Sequence, residues 1–189
     1  MKQRIGRMLL RLMGWRSESV IPQDLKKFVL IAAPHTSNMD FFLALPTLWA
    51  WDIKGHYLIK KEHFWWPFSW FLKKTGGIPV DRSKNNIEFV EDLKRLLQDA
   101  DRMSLLFTPE GTRSYSKKWK TGFYRVAHSL NLPIVLAYAD YKKKLVHVGE
   151  VLIPSGNLNA DLEKLEEYYS HVAACFPEKF NNQFFVREA

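Results

Sequence analysis

Cysteine is almost absent from this sequence: Cys175 is the only one among 189 residues. An internal disulfide is therefore excluded, which fits a reducing compartment. No histidine or second cysteine stands beside Cys175 in the sequence to activate its thiol, so a nucleophilic role is disfavoured. We expect Cys175 to fill the core within the last helix of the chain.

Long apolar runs are missing as well. A helix that spans a bilayer needs about 18 or more consecutive apolar residues. The longest candidate, residues 41–51, is shorter and contains Pro46 and Thr47. The basic N-terminus is not followed by the apolar stretch and cleavage site of a signal peptide. We expect a cytoplasmic protein that lies peripherally on the inner face of the cytoplasmic membrane without crossing it.

Closely spaced metal ligands are also missing, because the six histidines include no pair at the spacing of an HExxH motif. We predict no metal site and no bound cofactor. Acidic residues are outnumbered, with 28 Lys and Arg against 20 Asp and Glu and a net charge of +8. Such a surface favours an anionic partner, namely nucleic acid, anionic lipid or a phosphorylated substrate.

Aromatic residues are plentiful, with seven Trp and thirteen Phe. They cluster in apolar runs such as residues 64–72 and are not interleaved with basic residues. Proteins that bind single-stranded nucleic acid combine stacking aromatic side chains with a basic groove. We therefore expect no nucleic-acid partner.

Residues 1–15 have the pattern of a basic amphipathic helix. Ile5, Met8, Leu9 and Leu12 fall on one face, and lysine and arginine side chains surround this stripe. The stripe fits two placements: apolar side down among lipid headgroups, or packed on the protein's own domain. We divide the chain into a membrane-surface helix over residues 1–16 and one folded domain over residues 17–189.

Apolar runs and amphipathic stretches alternate along the rest of the chain. Strands are predicted over residues 28–33, 56–60, 78–80, 103–107, 133–139 and 144–151. Helices are predicted over residues 39–51, 85–100, 121–130 and 159–176. The alternation predicts an α/β fold: a single layered domain with a mixed, largely parallel central sheet flanked by helices, plus the N-terminal amphipathic helix. In the second of these helices we expect inward side chains at Ile87, Val90, Leu93, Leu96 and Leu97.

The segment APHTSNMD places His35 and Asp40 across a predicted strand-to-helix turn. Imidazole takes up a proton near neutral pH, and a carboxylate on its other ring nitrogen would fix the tautomer. The proton would come from Thr36, Ser37 or a substrate hydroxyl. The substrate is the better candidate, because adjacent residues rarely face each other in attack geometry. The same pattern also fits a capped helix start with a surface histidine.

Two later segments carry arginines at turns. TGGIPVDRS contains Arg82, whose guanidinium suits a phosphate. FTPEGTRS follows a predicted buried strand, and its Pro109 and Gly111 shape a turn that presents Glu110 and Arg113. The alternative for this segment is a solvated loop with a Glu–Arg pair.

His-x4-Asp, GGIPVDRS, TPEGTRS and LPIVLA occur in this order over residues 34–138. Together they resemble the motifs of the glycerolipid acyltransferase family, whose best-known members are the lysophosphatidic acid (1-acylglycerol-3-phosphate) acyltransferases. The resemblance implies that residues 17–189 form an acyltransferase domain. Its activity would move a fatty acyl group from a thioester, either acyl-CoA or acyl-carrier protein, to a hydroxyl of a lysophospholipid.

The resemblance also implies roles for single residues. His35 is the general base and Asp40 orients it, while the acceptor hydroxyl attacks the thioester. A family lysine near the reacting carbonyl corresponds to Lys60 or Lys61. The second and third motifs bind the glycerol phosphate, which implicates Arg82, Glu110, Gly111, Thr112 and Arg113. The implied partners are the thioester donor, the lysolipid acceptor and the membrane surface.

Two departures from the family pattern stand out. Thr108 separates Phe107 from Pro109, where the common form has Phe directly before Pro, and this points to a different substrate preference. We also expect no long N-terminal anchoring region, which gives the amphipathic helix more weight. Three alternatives stay open: acylation of another lipid or alcohol, a hydrolase in which the same pair activates water, and a non-catalytic basic module on the membrane surface.

Overall fold

The structure is a computed structural model that describes residues 1–80, 86–181 and 183. Its helices are α1 Lys2–Leu12, α2 Met39–Ala50, α3 Phe68–Lys74, α4 Asn86–Asp99, α5 Gly122–Ser129 and α6 Leu158–Tyr169. Its strands are β1 Arg16–Ser19, β2 Lys27–Ala32, β3 Gly55–Lys60, β4 Gly77–Val80, β5 Met103–Phe107, β6 Ile134–Asp140 and β7 Leu145–Leu152. Short 3₁₀ helices cover Lys61–His63 and Pro177–Lys179.

The strands form a 7-stranded sheet in the order β1-β7-β6-β2-β5-β3-β4. Neighbouring strands are parallel except β6 and β7, which are antiparallel. The short turn at residues 141–144 explains the exception, because antiparallel neighbours need only a tight connection whereas parallel ones need a crossover. The sheet is mixed and largely parallel and is flanked by helices, which confirms the predicted α/β class.

β2 lies inside the sheet and is buried on both faces. Val29 and Ile31 pack with side chains of α4, α5 and α6 on one face. Phe28 and Leu30 pack on the other face, together with Leu48 of α2. Successive strand residues alternate between faces, so a strand that is covered on both sides needs an unbroken apolar run. The sequence of β2 contains such a run, FVLIA.

α1 packs on α2 through Gly6 and Leu10, which are buried. A Cβ added at Gly6 would lie 2.4 Å from the carbonyl oxygen of Pro46, so this close approach requires glycine. The predicted apolar stripe instead faces outward, with Met8 and Leu12 exposed by 52% and 76%. One side of α1 therefore packs on the domain while the stripe faces solvent. Within the described ranges, no helix has the length and apolar character needed to cross a bilayer.

Three parts of the secondary structure differ from the prediction. α3 is absent from the prediction, which assigns no helix to residues 68–74. β1 is also absent from it, because the sequence RSES carries no apolar alternation; this strand pairs with β7 at the edge of the sheet. α6 ends at Tyr169, so the prediction that it reaches residue 176 is wrong. Beyond it, the carbonyl of Ala173 accepts the N–H of Tyr141 at 2.9 Å instead of a helical partner. Cys175 is therefore half-buried outside the helix and does not fill the core within it.

The inward face of α4 is narrower than predicted. Leu93 and Leu97 are buried in the core, and Val90 is half-buried. Leu96 is 42% exposed, so its predicted inward position is wrong, because α4 rests on the sheet along one narrow stripe only. The side chain of Ile87 lies outside those that the structure describes.

The close contact at Gly6 leads to a stability prediction. Gly6→Ala should lower the free energy of unfolding by about 2 kcal/mol, because the new methyl group meets backbone atoms of α2 that cannot move aside. This value is the net loss, because the better helix propensity of alanine already offsets about 1 kcal/mol of the cost of the clash. Chemical denaturation measures the difference, and Met8→Ala on the exposed side of α1 is the control. Equal stability of the Gly6 variant and the native protein would contradict the close contact.

Candidate active site

The candidate site lies where the carboxyl ends of β2 and β5 meet. These strands are parallel neighbours, so the segments that follow them emerge at the same edge of the sheet. The HTSNMD segment follows β2, and the TPEG segment follows β5. Ligand sites of open α/β sheets form at this edge. The fold thus brings together two motifs that are distant in the sequence.

The structure places His35 and Asp40 in direct contact. The Nδ1 atom of His35 lies 3.2 Å from Oδ2 of Asp40, and both side chains are mostly buried. Asp40 belongs to the first turn of α2, which follows the His35 loop directly. When Nδ1–H points at a carboxylate, the neutral imidazole keeps Nε2 free to accept a proton. This is the tautomer that a general base needs.

Hydrogen bonds converge on the Asp40 carboxylate. Its Oδ2 accepts the backbone N–H groups of Thr36 and Ser37, each at 2.9 Å. Its Oδ1 accepts the hydroxyl of Tyr141 at 2.6 Å. Burial alone would raise the pKa of this carboxyl, but hydrogen bonds from His35, Tyr141 and Ser37 outweigh burial and lower the pKa. Asp40 is therefore ionised at neutral pH.

Glu110 joins the TPEG segment to the histidine loop from inside the protein. It is 5% exposed, and its Oε1 accepts the backbone N–H of His35 at 2.9 Å. Its Oε2 is buried without a hydrogen-bond partner among the residues that the structure describes. Burial raises the pKa of Glu110 to about 7. The segment is thus not a solvated loop with a Glu–Arg pair; the carboxylate supports the backbone beneath the imidazole.

Cationic side chains stand beside the pair. The guanidinium of Arg113 donates to Oδ1 of Asn38, the residue before α2. Gly111 has φ +64°, and a Cβ there would lie 2.6 Å from Nζ of Lys120, so the lysine side chain crosses over the glycine. Gly111, Arg113 and Lys120 line the same cavity as His35.

The remaining predicted binding residues are less closely tied to the pair. Thr112 is exposed, and its Oγ1 accepts the N–H of Ser114. Lys60 ends β3, but its side chain is not described, and Lys61 begins a 3₁₀ helix with an exposed side chain. Arg82 lies outside the described residues. The binding roles of all four stay predictions.

A cavity of about 650 Å³ opens between α2 and the sheet. His35, Asp40, Arg113 and Lys120 contribute polar groups to its lining. The α2 side of the lining reaches from Asp40 to Leu48, about 12 Å along the helix axis. Most of the remaining lining is apolar and comes from the sheet, including Ala32, Leu106, Ala137, Val146 and Val148. The cavity therefore combines a long apolar lining with the His35 imidazole and two cationic side chains.

The pKa of Glu110 leads to a prediction about stability and pH. The pKa of Glu110 in the folded protein lies above the ordinary value of 4.5, so its contribution to the free energy of unfolding is fully present below pH 4.5. That stability is lost as the pH rises through about 7, a difference of about 3 kcal/mol. Glu110→Gln cannot ionise and keeps an oxygen for the N–H of His35. We expect its stability relative to the native protein to rise between pH 4.5 and pH 8.

Chemical denaturation of both proteins across this pH range measures the change. A stability difference that stays constant with pH would show that Glu110 ionises as readily in the folded as in the unfolded chain. Glu163→Gln, the same substitution at an exposed position of α6, is a control for the general effect of removing one negative charge.

No curated protein matches the chain. The fold is similar to a crystal structure of the 1-acyl-sn-glycerophosphate (LPA) acyltransferase PlsC from Thermotoga maritima, with a TM-score of 0.58 and 20% sequence identity. The match covers 88% of this chain and 74% of that one. The family model described as Acyltransferase matches residues 16–138, well over half of the sequence. The chain belongs to the acyltransferase family.

Proposed function

We propose that this protein transfers a fatty acyl group from a thioester to a hydroxyl of a lysophospholipid such as 1-acylglycerol-3-phosphate. The observation that carries the proposal is the His35–Asp40 pair at the polar part of a long apolar cavity. The acyl donor is acyl-CoA or acyl-carrier protein. The relative from Thermotoga maritima is described as acting on 1-acyl-sn-glycerophosphate, which supports this class of acceptor.

His35 acts as the general base of this reaction. Nε2 takes the proton from the acceptor hydroxyl as its oxygen attacks the thioester carbonyl, and a new C–O bond forms. The tetrahedral intermediate collapses with cleavage of the C–S bond, and the leaving thiolate takes the proton back from His35. Asp40 holds the imidazole and stabilises its positive charge between these two steps. No protein nucleophile is needed.

The apolar part of the cavity receives the acyl chain. Each methylene group that leaves water there contributes about 0.8 kcal/mol. The lining includes alanines at positions 32, 44, 137 and 139, and their small side chains leave room between α2 and the sheet. The thioester carbonyl then lies at the polar part, beside His35.

The acceptor phosphate binds to the cations beside the pair. Arg113 is held by Asn38 at the start of α2, so its guanidinium is already placed. Lys120 adds a second charge across Gly111. A forked guanidinium matches phosphate oxygens in geometry as well as charge. Lys60, Lys61, Arg82 and Thr112 complete the proposed set, while Glu110 acts through the histidine backbone that it supports.

The test of this mechanism is His35→Ala. We expect kcat to fall by about a thousandfold, because a positioned general base contributes between about 10² and 10⁴. Acyl transfer is measured with purified protein, acyl-CoA and acyl-carrier-protein donors, and a panel of lysolipids and other alcohols. His171→Ala, an exposed histidine beyond α6, is the matched control and should keep full activity.

Each outcome of this assay separates the proposal from an alternative. Full activity of His35→Ala rejects the general base. Thioester loss without an acceptor indicates a hydrolase, and transfer only to acceptors without phosphate replaces the proposed substrate class. Absence of turnover by the native protein, together with binding to vesicles, indicates a non-catalytic membrane module.

We propose further that the protein works on a membrane surface. Apolar side chains of α1 and α2 face solvent, including Met8, Leu12 and Phe42. Before and within α3, the side chains of Trp65, Trp66 and Trp70 are exposed by 58%, 87% and 65%. Arg7 and Arg11 flank the stripe on α1. Such a surface suits the boundary between anionic headgroups and acyl chains. The inner face of the cytoplasmic membrane is the proposed location.

Vesicle binding tests this location. Leu12→Glu should weaken binding to vesicles that contain phosphatidylglycerol, and added salt should weaken binding of the native protein. Val20→Glu is the matched control, because it adds the same charge at a residue that is 66% exposed but outside α1. Equal weakening by the two variants would show that charge alone, and not the α1 stripe, governs the binding.

A further inference from the structure

Tyr141 contacts the candidate active site from a part of the chain that carries none of the acyltransferase motifs. It is the first residue after β6, and its hydroxyl donates to Oδ1 of Asp40 at 2.6 Å. The cavity lining includes Asp40 but, among the residues described, not Tyr141. The tyrosine therefore touches the pair without touching the space that substrate would occupy. Any effect that it has on the reaction must pass through Asp40.

The two oxygens of Asp40 have separate partners. Oδ2 receives the N–H groups of Thr36 and Ser37 and faces Nδ1 of His35. Oδ1 receives the Tyr141 hydroxyl. Rotation of the carboxylate about its Cβ–Cγ bond moves both oxygens, so the Tyr141 hydroxyl on Oδ1 adds a restraint to those that already act on Oδ2. A donor on each oxygen fixes the plane of the carboxylate, and with it the direction of the bond to His35.

Tyr141 is itself held on several sides. Its N–H donates to the carbonyl of Ala173 at 2.9 Å. Its ring meets Trp15 edge to face, with centroids 4.9 Å apart, in the small cluster where α1, α2 and β7 pack together. The ammonium group of Lys144 lies 5.0 Å from the Trp15 ring centroid. An anchor with this many contacts can hold a carboxylate in one orientation.

Five charged or titratable side chains of the described residues bear on this contact. His35 and Tyr141 face Asp40, the charge of Glu110 acts on both His35 and Asp40, and Cys175 and Lys144 lie against Tyr141. Burial raises the pKa of Tyr141 well above its ordinary value, and the hydrogen bond to Asp40 raises it further. The hydroxyl is therefore a proton donor throughout the range in which an acyltransferase is assayed.

We infer that Tyr141 is a positioning residue of the acyltransferase reaction, which holds Asp40 in the orientation that aligns His35. The inference rests on the proposed function, because it assumes that the His35–Asp40 pair is the catalytic base. Tyr141 contacts neither substrate nor reacting atoms. Its contribution lies in the fraction of time that Nε2 of His35 points at the acceptor hydroxyl.

Tyr141→Phe tests the inference, because the ring keeps its contact with Trp15 and only the hydroxyl is lost. We expect kcat to fall about tenfold, the effect of one hydrogen bond to a charged acceptor. KM for both substrates should change less than about twofold, since the variant leaves the cavity intact. The control is Tyr168→Phe, which removes a buried hydroxyl that has no hydrogen-bond partner among the described residues.

The pH profile of kcat separates positioning from a merely structural role. The hydroxyl of Tyr141 helps to lower the pKa of Asp40. Without it, the coupled His35–Asp40 pair binds its next proton more tightly, so the acidic limb of the profile should move to higher pH. Tyr168→Phe should leave the acidic limb and kcat unchanged. Melting temperatures of both variants show whether the fold is intact.

Three results bear on the inference in different ways. Reduced kcat with a shifted acidic limb, unchanged KM and an intact fold supports it. Native kcat and pH profile in Tyr141→Phe, while His35→Ala is inactive, overturns it and leaves the proposed function standing. A loss of kcat with an unshifted profile or a lowered melting temperature also overturns it, in favour of a structural role. Activity in His35→Ala instead rejects the proposed function.

Discussion

The hydrogen bonding of one mostly buried carboxylate, that of Asp40, determines the arrangement of the site. Its oxygens gather donors from the loop before α2, from the His35 ring and from the turn after β6. A buried charge costs several kcal/mol unless it is paired and hydrogen-bonded. The fold that satisfies Asp40 is therefore also the fold that orients His35. Glu110 supports the same loop from below through the His35 backbone.

Those features of the fold that depend on local patterns could be predicted from the sequence. The runs FVLIAA and MSLLF indicate buried strands, and β5 has the predicted ends. Alternation of strands with helices implies parallel neighbours, whose following loops meet at one edge. This is why motifs around His35 and Gly111 could be expected to share a site. β1 escaped prediction because a polar edge strand is recognised by its pairing with β7 and not by its own composition.

The long-range polar contacts could not be predicted. Tyr141 is separated from Asp40 by 101 positions, and in sequence it is a polar residue at a turn. The burial of Glu110 is equally invisible, because a Glu beside Pro and Gly is typical of a solvated loop. Both contacts depend on the way the ends of β2, β5 and β6 converge. Hydrophobic periodicity and turn-forming residues predict helices and strands, but they do not indicate a particular hydrogen bond between two loops.

The structure also bears on the source of the proton in the proposed mechanism. Thr36 is 3% exposed, and its Oγ1 accepts the N–H of Phe176 at 3.2 Å, so its side chain is engaged with the C-terminal segment. The hydroxyl oxygen of Ser37 accepts the N–H of Met39 at the start of α2. The oxygens of both neighbouring hydroxyl groups accept backbone N–H groups, so a protein nucleophile beside the histidine is disfavoured. This agrees with the proposed mechanism, in which the proton comes from a substrate hydroxyl that enters through the cavity and the acyl group passes directly between two bound substrates.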